Sequence, residues 1–446
     1  MEEWEAEKAG ATARAPWAFA VRGAWWVAAA LGAQGCSSDS VGSQTESIAS
    51  TSEAMLSGSC SMTDVSGQPG CILSPNGWRW GWPSGTGTTQ DIPEAFSWCR
   101  TYAPNATCYV LLTDGAYYEN AAIVVPTNVD LLGTDRDGVQ IVWWAGVTAG
   151  PMVTVGYPWG DWTDVASNAA LERLTVQGAL HQPTATFQNN YAVEVNRCVQ
   201  CTVDQLNITG SRASALNIDT GQSLDVHDNY VHDNGDISTM RSDGITVHAL
   251  EGASQINHNW LQNNTDVNLI VGGGSTGSLL VIGNTVAYQD TGNSGAAFVL
   301  AESPNWSLGL DGAGVDTSDF GATALGGNVD SCGSACNYGF AIGIHLGENW
   351  WSAFDTSWTP TYPPIRNFHL NDTQGNSFDR VTVDYMDASS SLDFTNNLQA
   401  GGFVKIATIN YGNMNLGPNW AWCAGADYAQ TTYDSGGRMC DWYHDR

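Results

Sequence analysis

Along most of the chain, apolar and polar residues alternate in short runs closed by Gly, Asn, Asp or Pro, a period of two that predicts strands. Cys108–Asn120, Ala122–Pro126, Val129–Gly133 and Val139–Trp143 are the first of these. One segment departs from the pattern: Asp91–Cys99 has helical spacing, with Asp91 as cap and Pro93 in the first turn, which predicts one short helix. The strands repeat. Val203–Thr209, Leu224–His232, Ser254–Gln262 and Leu280–Val286 align on Asn207, Asn229, Asn259 and Asn284, at intervals of 22, 30 and 25 residues. After a variable turn each is followed by a second apolar strand, Ala215–Ile218, Gly244–Val247, Val267–Ile270 and Ala296–Val299. Each interval is one coil of a solenoid. Asn side chains stacked at one turn would hydrogen-bond along the coils at the strand spacing of about 4.8 Å.

The order of capping helix, strand, Gly115-Ala116-Tyr117 and a Leu131-Leu132-Gly133 turn resembles the opening coil of the right-handed parallel β-helix family, the pectin-lyase-like fold. The resemblance covers roughly residues 88 to 445 and implies an all-β, single-stranded solenoid capped by a short helix. Later coils are expected at Gly339–Leu346, Val381–Val383 and Phe403–Ile406. Glu302–Gly327 and Gly347–Pro364 exceed ordinary turn length and are expected to leave the cylinder as loops. The architecture hosts lyases, hydrolases, epimerases and adhesins, so it does not choose a function. Asn264-Thr265-Asp266 matches one of four polygalacturonase motifs, and the other three are absent. The Arg-x-Pro of pectate lyases and the Asp-Pro-His of alginate epimerases are also missing, so no catalytic residue carries over from them.

Charge narrows the partners. Fifteen basic against 45 acidic side chains give a net charge of −30, which repels nucleic acid and anionic lipid headgroups. The apolar run Ala24–Leu31 is too short to span a bilayer, follows Arg14 and Arg22, and precedes Gly35-Cys36. Residues 1–35 therefore read as a signal peptide, although the acidic first residues suit one poorly and a start at Val21 would repair it. The small residues before Cys36 resemble a lipoprotein cleavage site, which makes Cys36 the lipidated first residue and the sole membrane contact; an ordinary cleaved signal is the alternative. Residues 36–59 form a Ser- and Thr-rich tether, and 60–446 the solenoid. Setting Cys36 aside leaves ten of 11 cysteines, falling as sequence neighbours: Cys60 with Cys71, Cys99 with Cys108, Cys198 with Cys201, Cys332 with Cys336, and Cys423 with Cys440. Disulfides in an exported protein are the favoured reading. Cys198 and Cys201 also admit a metal or redox pair, without a second such motif beside them.

The 30-residue interval concentrates ionisable groups: Asp225, His227, Asp228, His232, Asp233, Asp236, Arg241 and Asp243, then His248 and Glu251. A longer turn projects from the cylinder, where a substrate groove would form, although Asp and Asn are also common in plain solvated turns. Arg241, Asp243, His248 and Asp266 are the candidate catalytic residues. Asp243 and Asp266 could serve as acid and base, but they share a face only if a turn intervenes, because their parities relative to inward Ile245 and Val267 differ. On the regular outward face stand Asp219, His248 and Asn268. Asp219, Asn268, Trp306 and Trp350 are candidates for substrate binding, the tryptophans as stacking faces for sugar rings. Asp225, Asp228, Asp233 and Asp236 are the richest set for Ca²⁺. The expectation is a monomeric, exported polysaccharide-active protein that cleaves glycosidic bonds by hydrolysis or elimination. Its rival is a non-catalytic adhesin or carbohydrate-binding scaffold.

Overall fold

The computed structural model describes residues 59–75, 91–119, 122–143, 151–157, 164–180, 191–236, 241–248, 250–272 and 278–287, and beyond these the backbone of strands as far as Met439–Cys440. The expected signal peptide, tether and Cys36 lie outside the described residues, as do Trp306 and Trp350.

Almost every strand lies parallel to its equivalent in the next coil, in three sheets of thirteen, ten and fourteen strands, here called A, B and C. The chain is a right-handed parallel β-helix. One coil runs Thr202–Asp204 in sheet A, Asn207–Thr209 in B and Leu216–Gln222 in C. The next runs Asp225–His227, Tyr230–His232 and Ile245–Val247, and the third Ser254–Asn257, Trp260–Gln262 and Val267–Gly272. Alternation explains the packing: Val203, Val226 and Ile256 of sheet A, Ile208, Val231 and Leu261 of B, and Ile218, Val247 and Val271 of C are all buried inside the cylinder.

Sheets A and B meet at a two-residue turn whose first residue is left-handed: Gln205 (φ 51°), Asp228 (φ 54°) and His258 (φ 52°). The second residue is where asparagines stack. Asn229 Nδ2 donates to Asn259 Oδ1 (2.9 Å), and Asn259 Nδ2 to Asn284 Oδ1 (2.9 Å). Asn207 is not part of this ladder, contrary to the sequence alignment. It pairs in register with Tyr230, so the residue equivalent to Asn229 is Leu206, whose N–H donates to Asn229 Oδ1 at 2.9 Å. The ladder starts at Asn229 because a Leu side chain offers no amide to extend it.

Helix α1 (Asp91–Tyr102) closes the first coil, burying Ile92, Ala95, Phe96 and Cys99. A disulfide ties Cys99 to Cys108, the first residue of the strand that follows. Ahead of the helix, Ser59–Val65 and Gln68–Leu73 form an antiparallel hairpin that the sequence reading did not anticipate, bridged by Cys60–Cys71. Cys198–Cys201 spans the turn from sheet C to sheet A as a disulfide, so it is not a metal pair. The two further expected bridges, Cys332 with Cys336 and Cys423 with Cys440, rest on positions outside the described residues. Tyr117 is fully buried and donates to Leu73 O at 2.8 Å. Gly133 is required because a Cβ there would run into the Arg173 carbonyl of the next coil. Ala322–Gly326 is a sheet A strand inside the range expected to be a loop, since Ala322 and Ala324 continue the ladder from Ser278 and Leu280.

Candidate active site

Five neighbouring strands of sheet C carry an unusual outer face. Register aligns Val193, Leu216, Ile245 and Leu269 on the inward side. One residue further on, Thr154, Glu194, Asn217 and Thr246 form an outward row. Outward positions of a solenoid are ordinarily wet, yet all four are buried; Glu194 is 2% exposed. The following row is formed by Asn196, Asp219 and His248. Val195 pairs with Ile218 but Asn196 with Thr220, so Asp219 is the extra residue of a β-bulge. The His248 N–H, donating to Ile218 O at 2.7 Å, places His248 beside it on the next coil. Asp219 is 6% exposed and Asn196 completely buried.

Burial of two carboxyls on adjacent coils dictates their protonation. Desolvation pushes Glu194 up to about 8, the Asp219 charge adds to this, and Thr154 Oγ1, donating to Glu194 Oε2 at 3.1 Å, opposes it. Desolvation also raises Asp219, to about 6, against the favourable effect of the Asn217 amide and of its hydrogen bond with Glu194. Both carboxyls are thus raised above the ordinary carboxylate range, Glu194 the further, and near neutral pH the pair shares a proton. Tyr191, just before the same strand, stays a neutral phenol because desolvation and the charges of Asp219, Glu194 and Asp243 all raise it. Desolvation holds His248 down at about 3, so its imidazole is neutral. Neither amide atom of Asn196 has a hydrogen-bond partner. An unmet buried polar group costs about 1–3 kcal/mol, so this face carries unspent capacity to bind hydroxyl or carbonyl oxygens.

Of the residues singled out from the sequence, Asp219 and His248 stand in this cluster. Asp243 lies at its edge: Oδ1 accepts from Val267 N (3.1 Å) and Oδ2 from Ser214 Oγ (3.3 Å), which fixes the carboxylate at the entry to sheet C. Asp266 sits on the adjacent coil, its N–H donating to Ser242 O at 3.0 Å. Both precede the strands and lie in the turn, the arrangement their opposite parities required. Arg241 is exposed. Asn268 is completely buried and accepts at Oδ1 from Asn264 Nδ2 (2.9 Å), while Asn264 Oδ1 accepts from Asn234 Nδ2 (2.8 Å). The Asn234–Asn264 bond is a second asparagine contact between coils, at the turn from sheet B to C, and Asn268 meets it from within the same coil as Asn264. The four aspartates grouped for Ca²⁺ divide: Asp225 and Asp228 flank a sheet A strand, whereas Asp233 and Asp236 follow a sheet B strand.

Glu194, Asn196, Asn217 and Tyr191 were missed. Their signal was present, since Val193–Val199 alternates in the phase of Leu216–Gln222, and extending the repeat one coil upstream brings Glu194 into the outward row.

The protonation of the dyad makes stability depend on pH. Glu194 rises from 4.5 to about 8 on folding, so its stabilising contribution is complete below 4.5 and is lost as pH rises through about 8. Melting temperatures of wild type and Glu194→Gln measured from pH 4 to 9 should diverge, with the variant gaining relative to wild type at the alkaline end. A constant difference across that range would contradict the assignment of the proton.

No family model and no curated protein matches the chain. Among solved structures it is similar to the A-module of a mannuronan C-5 epimerase, AlgE6, from Azotobacter vinelandii, with 13% identity over 74% of this chain and 92% of that one and a TM-score of 0.37. An alginate lyase from Paenibacillus sp. gives 10% identity, 73% and 95% coverage and a TM-score of 0.40. PfbA, a surface adhesin of Streptococcus pneumoniae, gives 10%, 73%, 89% and 0.36. These likenesses concern the fold alone and assign no role to a residue of this chain.

Proposed function

We propose that the outer face of sheet C is the active site of an exported polysaccharide-active enzyme that cleaves glycosidic bonds by acid catalysis. The observation that supports it is the buried Glu194–Asp219 dyad, in which burial raises both carboxyls. A carboxyl kept protonated near neutral pH is what a leaving-group oxygen needs, and the adjoining carboxylate offsets positive charge developing on the sugar. The two groups are in hydrogen-bond contact, closer than the roughly 5–9.5 Å between acid and nucleophile or base in two-carboxylate glycosidases. The dyad accordingly acts as one unit: Glu194 gives its proton to the glycosidic oxygen as the carbon–oxygen bond breaks, and water adds at the anomeric carbon and returns a proton. Neutral Tyr191 and His248, with the amides of Asn196 and Asn217, would hold sugar hydroxyls.

Hydrolysis is favoured over elimination because elimination needs a uronate, and a chain with a net charge of −30 repels polyanions. Three disulfides among the described residues support an oxidising, extracellular setting. The test is a polysaccharide panel assayed for new reducing ends and for the ultraviolet absorbance of unsaturated uronates. Reducing ends without that absorbance are expected. Unsaturated products would replace hydrolysis by elimination, and binding without cleavage would favour the scaffold.

A further inference from the structure

We propose that the outer face of sheet A holds a divalent transition-metal ion, of the Zn²⁺ type, between Asp204, His227 and Asp228. This site is separate from the dyad, being on a different sheet. The strands Thr202–Asp204 and Asp225–His227 are neighbours, in a register that pairs Asp204 with His227. The left-handed turn residue Asp228 brings its carboxylate back over the strand end. One ligand atom each from Asp204, His227 and Asp228 lies within 4.8 Å of the others.

The contacts around His227 are over-subscribed. Its Nδ1 is 2.9 Å from Asp228 Oδ2 and 3.1 Å from Asp204 Oδ1, and its Nε2 is 3.7 Å from Asp225 Oδ2. An imidazole nitrogen carries at most one proton, and the one on Nδ1 is committed to Asp228. Asp204 is only 8% exposed, and its Oδ1, aimed at the same nitrogen, has no hydrogen bond. Asp225 Oδ1 is also shielded without one. A carboxylate oxygen of the buried Asp204 without a hydrogen bond, facing a ring nitrogen whose proton is committed to Asp228, is the arrangement that a cation resolves.

Dimensions and chemistry select the ion. A metal about 2.0–2.1 Å from each ligand of a tetrahedron sets the ligands about 3.3 Å apart, close to the separations around Nδ1. Mixed imidazole and carboxylate donors suit Zn²⁺ or its neighbours, whereas Ca²⁺ takes oxygen alone. Gln205 Nε2, donating to Asp204 Oδ2 at 2.8 Å, holds that carboxylate in place from behind. The ion would clasp two successive coils.

The full-length protein, stripped with a chelator, is titrated calorimetrically with ZnCl₂ and separately with CaCl₂, and melting is followed at about a hundred-fold excess over Kd. One Zn²⁺ is expected to bind more tightly than Ca²⁺ and to raise the melting temperature by a few degrees. His227→Asn should weaken Zn²⁺ by at least about tenfold, on the order of what loss of one ligand or its support costs. Asp228→Asn, at an exposed turn, serves as the second variant should His227→Asn fail to fold, and should weaken Zn²⁺ likewise. Zn²⁺ binding unchanged in a folded variant, no binding by wild type, or a preference for Ca²⁺ would overturn the proposal.

Discussion

Asp219→Asn should lower the rate of glycan cleavage by about 10²–10⁴-fold, the range supplied by a positioned acid or base. The reason lies in its partner. Glu194 is protonated near neutral pH because it is desolvated, because Asp219 is charged, and because it donates a hydrogen bond to Asp219. An amide at position 219 removes the second cause and alters the third. The alkaline limb of the pH–rate profile should therefore move to lower pH as Glu194 loses its proton more readily. Glu194→Gln has no proton to give and should lose activity at every pH, without a displaced limb. A residue with only a packing role would lower activity together with melting temperature and leave the profile in place. If Asp219→Asn retains more than about a tenth of wild-type activity with an unmoved limb, the dyad is not the acid.

Asn259→Ala should destabilise the protein by about 3–5 kcal/mol, the upper end of single-substitution effects. Asn259 Oδ1 accepts from both Asn229 N (3.1 Å) and Asn229 Nδ2 (2.9 Å), and its own Nδ2 donates to Val226 O (3.1 Å) and Asn284 Oδ1 (2.9 Å). Alanine removes all four bonds and leaves the buried Asn229 N–H without that acceptor, in a place it cannot leave because the turn is two residues long. A typical net bond contributes about 1 kcal/mol and an orphaned buried donor costs about 1–3 kcal/mol, which together reach the stated range. Asn257→Ala, two residues earlier on the outer face of sheet A, is the control and should stay within about 0.5 kcal/mol. Urea unfolding of both variants decides this. Equal midpoints would mean that the ladder adds nothing beyond the backbone pairing.

The sequence by itself determined the solenoid. Alternation in Cys108–Leu112 or Ser254–Asn257 dictates which side chains are inside, and recurrence of Asn229, Asn259 and Asn284 marks the coils, because the same two-residue turn imposes the same requirement each time. It also put Asp219 and His248 on the outward face, from their neighbours Ile218 and Val247. What only the tertiary structure decided is which residues of successive coils stand side by side. Coil length varies with the turns, so spacing does not reveal register, and the ladders that set it pair Cys108 with Val129, 21 positions apart, but Ala322 with His369, 47 positions apart. Asn207 fell out of its expected ladder by one such shift. The Asp219 bulge changes register within a single strand pair and brings the carboxyl to Glu194, a partner 25 positions earlier. Asp225, Asp228, Asp233 and Asp236 form one acidic cluster in the sequence, yet the chain turns between sheets after each short strand and carries them to different faces. A solenoid scatters neighbours in sequence around its circumference and gathers residues one coil apart, which is why its faces could be read from the alternation but its sites could not.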